Sequence, residues 1–270
     1  MLHHTAKTRL HLAFTNINRH CLIALLIGFF LAPVSLSAGA DTLMNSFCLA
    51  FTGAGEILAL SSMMMILVPS IVFIGYNANT LRTELEGPGI YVLIRERRRT
   101  LWACGRITSL ILNVGIYFAV ILVMFFCSLW ILQRSFFATV PPYFASLVLQ
   151  TSIVSILELV FWVLLSNYLS LYNEINGSTL SVCLFLVGHF TLFIFDKLPP
   201  VIRWFHILYH GHMIYFPMDS LAELQDIFAK TPIDGFSIFS SISILLAFIL
   251  LTSALTLRKI KHFELLKKGG

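Results

Sequence analysis

Apolar positions along this chain fall into six blocks, at about 21–38, 56–76, 107–132, 144–168, 178–195 and 235–257. Blocks of that length and purity predict helices that cross a bilayer. The stretches between them are polar or broken. Residues 1–20 carry Lys7, Arg9 and Arg19, with Leu10, Phe14 and Ile17 at helical spacing. They predict a short amphipathic helix on the membrane surface, or else an unstructured basic leader. Residues 77–106 form a long basic stretch interrupted by Gly87-Pro88-Gly89, a sequence that ends any helix. A loop with Pro141-Pro142 follows the third block, and the polar Tyr172–Gly177 predicts a tight turn after the fourth. Residues 196–234 are only partly polar, and Pro199-Pro200 and Pro217 break them up around an aromatic-rich Val201–Phe216. They suit a re-entrant or interfacial helical hairpin between the fifth and sixth helices. The expected fold is an all-α membrane protein, one transmembrane domain over residues 1–270.

Two blocks carry internal irregularities. Pro69 lies inside the second and predicts a kink, which membrane helices tolerate when neighbours satisfy the freed carbonyl. Met63, Met64 and Met65 also lie there, but three consecutive residues point in different directions on a helix, so packing explains them better than a metal does. The first block ends in Ser37-Ala38-Gly39-Ala40-Asp41, which has the small-x-small form of a signal-peptidase site. That block is therefore either a retained first span or a cleaved signal peptide.

Composition agrees with the pattern. Hydrophobic residues make up 58% of the chain and charged residues 11%; the mean hydropathy is +0.87. A soluble domain carries roughly twice that charge fraction. The five cysteines are scattered, with neither metal spacing nor a disulfide framework. The net charge of +5 points to topology rather than nucleic acid. With both termini cytoplasmic, the inner segments hold Lys7, Arg9, Arg19, Arg82, Arg95, Arg97, Arg98, Arg99, Arg106, Arg258, Lys259, Lys261, Lys267 and Lys268. The outer segments hold only Arg134, Lys197, Arg203 and Lys230. This obeys the positive-inside rule.

Familiar catalytic signatures are missing. No GxxxxGK[ST] loop, HExxH helix or GxSxG elbow occurs. His206, His210 and His212 cluster on the outer connection, and the first two would share a helix face. Interfacial His and aromatic residues commonly sit at headgroup level; a metal site is the alternative. Glu158 lies in the middle of the fourth block, and Thr151, Ser155 and Glu158 fall at i, i+4 and i+7. An intramembrane carboxylate is costly in lipid, so this face either lines a pathway or joins helices. His189 in the fifth block is its candidate partner, or else a core histidine bonded to a backbone carbonyl.

This layout resembles the permease subunit of ABC-2 type exporters. The likeness covers nearly the whole chain: six helices, an amphipathic leader, a large basic loop between helices two and three, a minimal loop between four and five, and a semi-buried hairpin between five and six. Within the loop it extends to Glu84-Leu85-Glu86-Gly87, Tyr91-Val92-Leu93-Ile94, Arg95 through Arg99, Trp102 and Gly105-Arg106. The Pro88-Gly89 insertion departs from that pattern and bears on the length of the coupling helix. The resemblance implies a separate ATP-binding cassette ATPase docking under residues 77–106, with Leu81, Arg82, Glu84, Glu86, Gly87 and Tyr91 at the contact. ATP and Mg would sit on that partner, leaving no cofactor or metal in this chain. It further implies a second permease chain, in a homo- or heterodimer. Thr151, Ser155, Glu158 and His189 would line the pathway, and 196–234 would form an extracellular gate. The setting implied is a bacterial plasma membrane. The cargo would be an antimicrobial peptide, a drug or a lipid-like molecule. Two other classes fit the composition: an integral-membrane metalloenzyme using the His206, His210 and His212 cluster, and a non-enzymatic membrane sensor or assembly protein.

Overall fold

A computed structural model describes residues 2–51, 60–86, 99–138, 140–172, 177–192, 199–206 and 237–262. Among them every regular element is helical: α1 (Leu2–Ser37), α2 (Leu43–Phe51), α3 (Leu60–Asn77), α4 (Thr80–Glu86), α5 (Arg99–Leu132), a 3-10 helix (Arg134–Ala138), α6 (Phe144–Ser170), α7 (Gly177–Leu192), α8 (Pro200–Trp204) and α9 (Ile238–Lys261). Among the described residues, four stretches are long and apolar enough to cross a bilayer: His20–Ser37, Arg99–Leu132, Phe144–Ser170 and Ile238–Lys261. The chain is a membrane protein. Its outward positions are apolar, with Ile131 74%, Leu250 68% and Phe239 80% exposed, while the serines at 35, 46, 166, 181 and 241 are completely buried. A water-soluble fold does the opposite. Several buried hydroxyls bond to carbonyls of their own helices, as Ser35 to Ala32, Ser166 to Val163, Ser181 to Gly177 and Thr256 to Thr252. A medium without water demands this of its helices.

The described residues form two compact units. In the first, which takes the chain up to Pro69 and Ile111–Ser152, α1 lies on α5. A Cβ on Gly28 would come within 2.6 Å of the Ile121 carbonyl oxygen, so only glycine allows this approach. Nearby, the Ser128 hydroxyl donates to the Phe29 carbonyl at 3.0 Å. The expected break between a surface leader and the first span does not occur, because α1 is continuous from Leu2 to Ser37. The Ser37–Asp41 sequence serves as a helix stop. Gly39 takes a positive φ of 93°, and the Ala40 N–H bonds back to the Ser35 carbonyl, a turn that glycine makes at no steric cost. Thr42 then caps α2 by accepting from the Asn45 N–H. The sequence pattern did not predict α2. Its Phe47 and Phe51 enter a box of phenylalanines: Phe47 stacks on Phe126 and meets Phe144 edge-on, while Phe51 meets Phe118 and Phe125 edge-on. α3 runs through Pro69 as one helix, and the Tyr117 hydroxyl donates to the Pro69 carbonyl at 2.9 Å.

The second unit holds the end of α3, all of α4, the start of α5, the rest of α6, and α7, α8 and α9. Phe161 of α6 packs on Phe248 of α9, and Trp162 of α6 packs on Phe185 of α7. The ends of five longer helices gather around α4 at one end of this unit. Asn167, near the end of α6, bonds the end of α3 and the start of α4. Gly177, the first residue of α7, lies against Ser166 and Ser170. Arg106, near the start of α5, pairs with Glu84 of α4, and Lys259, near the end of α9, covers Tyr172. α6 ends at Ser170 and α7 starts at Gly177; of the tight turn expected at Tyr172–Gly177, residues 173–176 lie outside the described set. In the 196–234 connection, α8 begins with Pro200 in its first turn, where the missing N–H costs nothing. Residues 207–236 lie outside the described set.

Candidate coupling site

α4 has seven residues, too few to persist alone in water. Leu81 and Leu85, one turn apart, are its inward face and are fully buried, while Thr83 and Glu86 face out. The turn before it is built by asparagines. The Asn77 Nδ2 donates to the Phe73 carbonyl at 3.0 Å and closes the last turn of α3, and the Asn79 carbonyl accepts from the Thr83 N–H at 2.8 Å.

Polar groups from other helices complete the fastening. Asn167 of α6, completely buried, accepts the Leu81 N–H on Oδ1 at 3.0 Å. Its Nδ2 donates to the Asn77 carbonyl at 2.7 Å and to the Val163 carbonyl at 2.9 Å. One side-chain amide thus uses both donors and an acceptor to join α3, α4 and α6. The Leu81 N–H is one of the donors a helix start leaves unsatisfied, and Asn167 supplies its partner. Arg82 donates from Nη1 to the Ser170 carbonyl at 3.3 Å and from Nε to Glu86 at 2.9 Å. Glu84 pairs with Arg106 of α5. α4 is therefore tied to α3 by a two-residue turn, to α6 by an amide and a guanidinium, and to α5 by an ion pair.

Of the residues expected at a partner contact, Leu81, Arg82, Glu84 and Glu86 are on α4. Leu81 faces the protein interior, so it can position a contact and cannot make one. Gly87, Tyr91, the Gly87-Pro88-Gly89 turn and the arginines at 95, 97 and 98 lie outside the described residues.

The residues expected along a pathway divide between the units. Thr151, buried, belongs to the first. Ser155, Glu158 and His189 belong to the second. Glu158 is buried, one turn before Trp162 on α6. The Trp162 ring lies 5.4 Å from Phe185, edge to face, and Phe185 lies 4.3 Å from the His189 ring. Glu158 and His189 are thus at the two ends of one aromatic row. His189 Nδ1 is 3.0 Å from the Phe185 carbonyl, which anchors the ring on its own helix as expected of a core histidine. His206 is half-buried just past α8 and lies within electrostatic reach of His189. His210 and His212 lie outside the described residues, among which no group of three His, Cys, Asp or Glu could hold a metal.

Asn77, Asn167 and Ser170 were not singled out by the sequence pattern. The one signal for them is that Ser166-Asn167 interrupts an apolar block near its end.

The chain belongs to the family described as protein of unknown function (DUF2705), which matches residues 17–265. No curated protein and no solved structure matches it.

Proposed function

We propose that this member of the DUF2705 family is the membrane-spanning subunit of an ATP-driven exporter, a permease of the ABC-2 type working as a dimer with separate ATPase subunits. The fastening of α4 carries this reading. A short helix with one buried face and one outward face is tied to α3 by a two-residue turn and to α6 and α5 by directional bonds. A push on its outward face would reach α3, α5 and α6 together instead of dissipating in a loop.

Charge supports placing that end in the cytoplasm. Arg82, Arg99, Arg106, Arg258, Lys259 and Lys261 belong to the helix ends gathered there, as the positive-inside rule requires. The alternation of ends, with α3, α6 and α9 finishing where α5 and α7 begin, suits six spans with both termini inside. ATP and Mg belong to the partner ATPase. Ser155, Glu158 and His189 in one unit, and Thr151 in the other, are the polar groups on offer to an amphipathic cargo such as a peptide, drug or lipid-like molecule. The 196–234 connection is the outer gate. The membrane is a bacterial plasma membrane.

The test is affinity purification of the full chain from its own cells. An ATP-binding cassette ATPase should come with it, be lost when residues 81–91 are scrambled, and remain after Arg97→Ala or Arg98→Ala. An ATPase that survives the scramble, or never appears, overturns the reading. Stoichiometric metal that is lost on His210→Ala would assign the chain to a metalloenzyme instead.

A further inference from the structure

We propose that the end of the second unit carries a seat for the phosphate of an anionic lipid headgroup, formed by Tyr168 and Tyr172 together with Arg258 and Lys259. This needs only a bilayer around the chain and is independent of the exporter reading.

The two tyrosines bracket the end of α6. Their hydroxyls are 2.7 Å apart and their rings meet edge to face at 5.2 Å. When two phenols share one hydrogen bond, one O–H remains free to donate outward. The Lys259 ammonium lies 4.1 Å from the centroid of the Tyr172 ring, and Arg258 is near enough to Tyr168 to act on its hydroxyl electrostatically. A phenol, an ammonium and a guanidinium are the donors that phosphate oxygens accept best.

Helix-end basic residues have a simpler explanation: they neutralise the terminal carbonyls of their own helix. Lys259 does not fit it. Its ammonium reaches across to Tyr172, while the Lys259 and Ile260 carbonyls accept the His262 N–H. Among the described residues neither Arg258 nor Lys259 is ion-paired with a carboxylate.

The apolar surface selects a lipid as the source of the phosphate. Leu251, Leu255 and Arg258 follow at i, i+4 and i+7 on α9, all three exposed. An acyl chain can lie along the two leucines while its headgroup meets the guanidinium. Tyrosines at the same level are ordinary interface residues, and each nearby basic side chain contributes about 1 kcal/mol to holding an anionic lipid.

Native mass spectrometry of the full chain, released from bilayers containing equal amounts of phosphatidylglycerol and phosphatidylcholine, tests this. The wild-type chain should retain phosphatidylglycerol preferentially. Arg258→Gln and Lys259→Gln should each lower that preference about fivefold. Tyr172→Phe, which keeps the ring beneath Lys259 and hence the packing, should lower it by a smaller factor. Arg134→Gln, which removes a charge from the 3-10 helix, should leave it unchanged. A preference that persists in the Arg258→Gln, Lys259→Gln double variant, or that falls equally in Arg134→Gln, overturns the proposal. So does thermal stabilisation by millimolar inorganic phosphate with no lipid retained, which would make the ligand a soluble phosphate.

Discussion

α2 and α4 are both too short to be stable by themselves, and the chain holds them by opposite means. α2 has nine residues, seven of them buried, and its anchors are Phe47 and Phe51 in a box of four further phenylalanines. Dispersion and ring packing have little direction, so such a box can absorb a small shift. α4 buries two leucines only, and its position is set by an amide, a guanidinium and a carboxylate. Hydrogen bonds fail steeply with distance and angle. A helix held in this way either moves together with its neighbours or detaches from them. Packing of the first kind suits an anchor, and bonding of the second kind suits a transmitter.

Phe47→Ala is the strongest way to break the comparison. It empties the centre of the box and should cost about 3–5 kcal/mol, read as a large drop in thermal stability in detergent. On the exporter reading proposed above, any protein that does fold should still bring down the proposed ATPase. Its loss from folded protein would give α2 the transmitting role that the proposal reserves for α4.

Next in size is Asn167→Ala. It leaves the buried Leu81 N–H and Asn77 carbonyl without their partner, at about 1–3 kcal/mol for each group. Amide exchange should rise at Leu81, and ATPase capture should fall. Asn167→Asp keeps the acceptor for Leu81 but loses the donors to Asn77 and Val163, so it should lie between alanine and wild type. Equal behaviour of all three would remove Asn167 from the linkage.

Gly177→Ala tests how closely α7 approaches α6. The added Cβ would come within 2.7 Å of the Ser170 backbone nitrogen, and forced overpacking costs about 1–3 kcal/mol. A thermal stability equal to wild type would deny that the approach is tight.

The smallest effect belongs to the Glu84–Arg106 pair, which is partly exposed on both sides. Glu84→Gln should cost no more than about 1 kcal/mol, visible as a small stability loss that salt reproduces in the wild type. The exchange Glu84→Arg with Arg106→Glu should recover stability relative to either single reversal. Failure to recover would mean that the pair adds nothing to the hold on α4.

The sequence alone determined the membrane character, the segments that become α5, α6 and α9, and the short interval between α6 and α7. Each follows from local quantities: the length of an apolar run, the charge between runs, and a breaker residue at its end. It also marked Glu158 and His189, because an ionisable group in an apolar run is conspicuous. Only the tertiary structure decided that α1 runs unbroken from Leu2 through the first span, that α2 exists within a box of rings, and that Asn167 is what secures α4. Asn167 and Leu81 are 86 positions apart, and nothing local in either residue announces the other. An amide at the end of an apolar run resembles an interface residue until the fold brings an unsatisfied N–H to meet it.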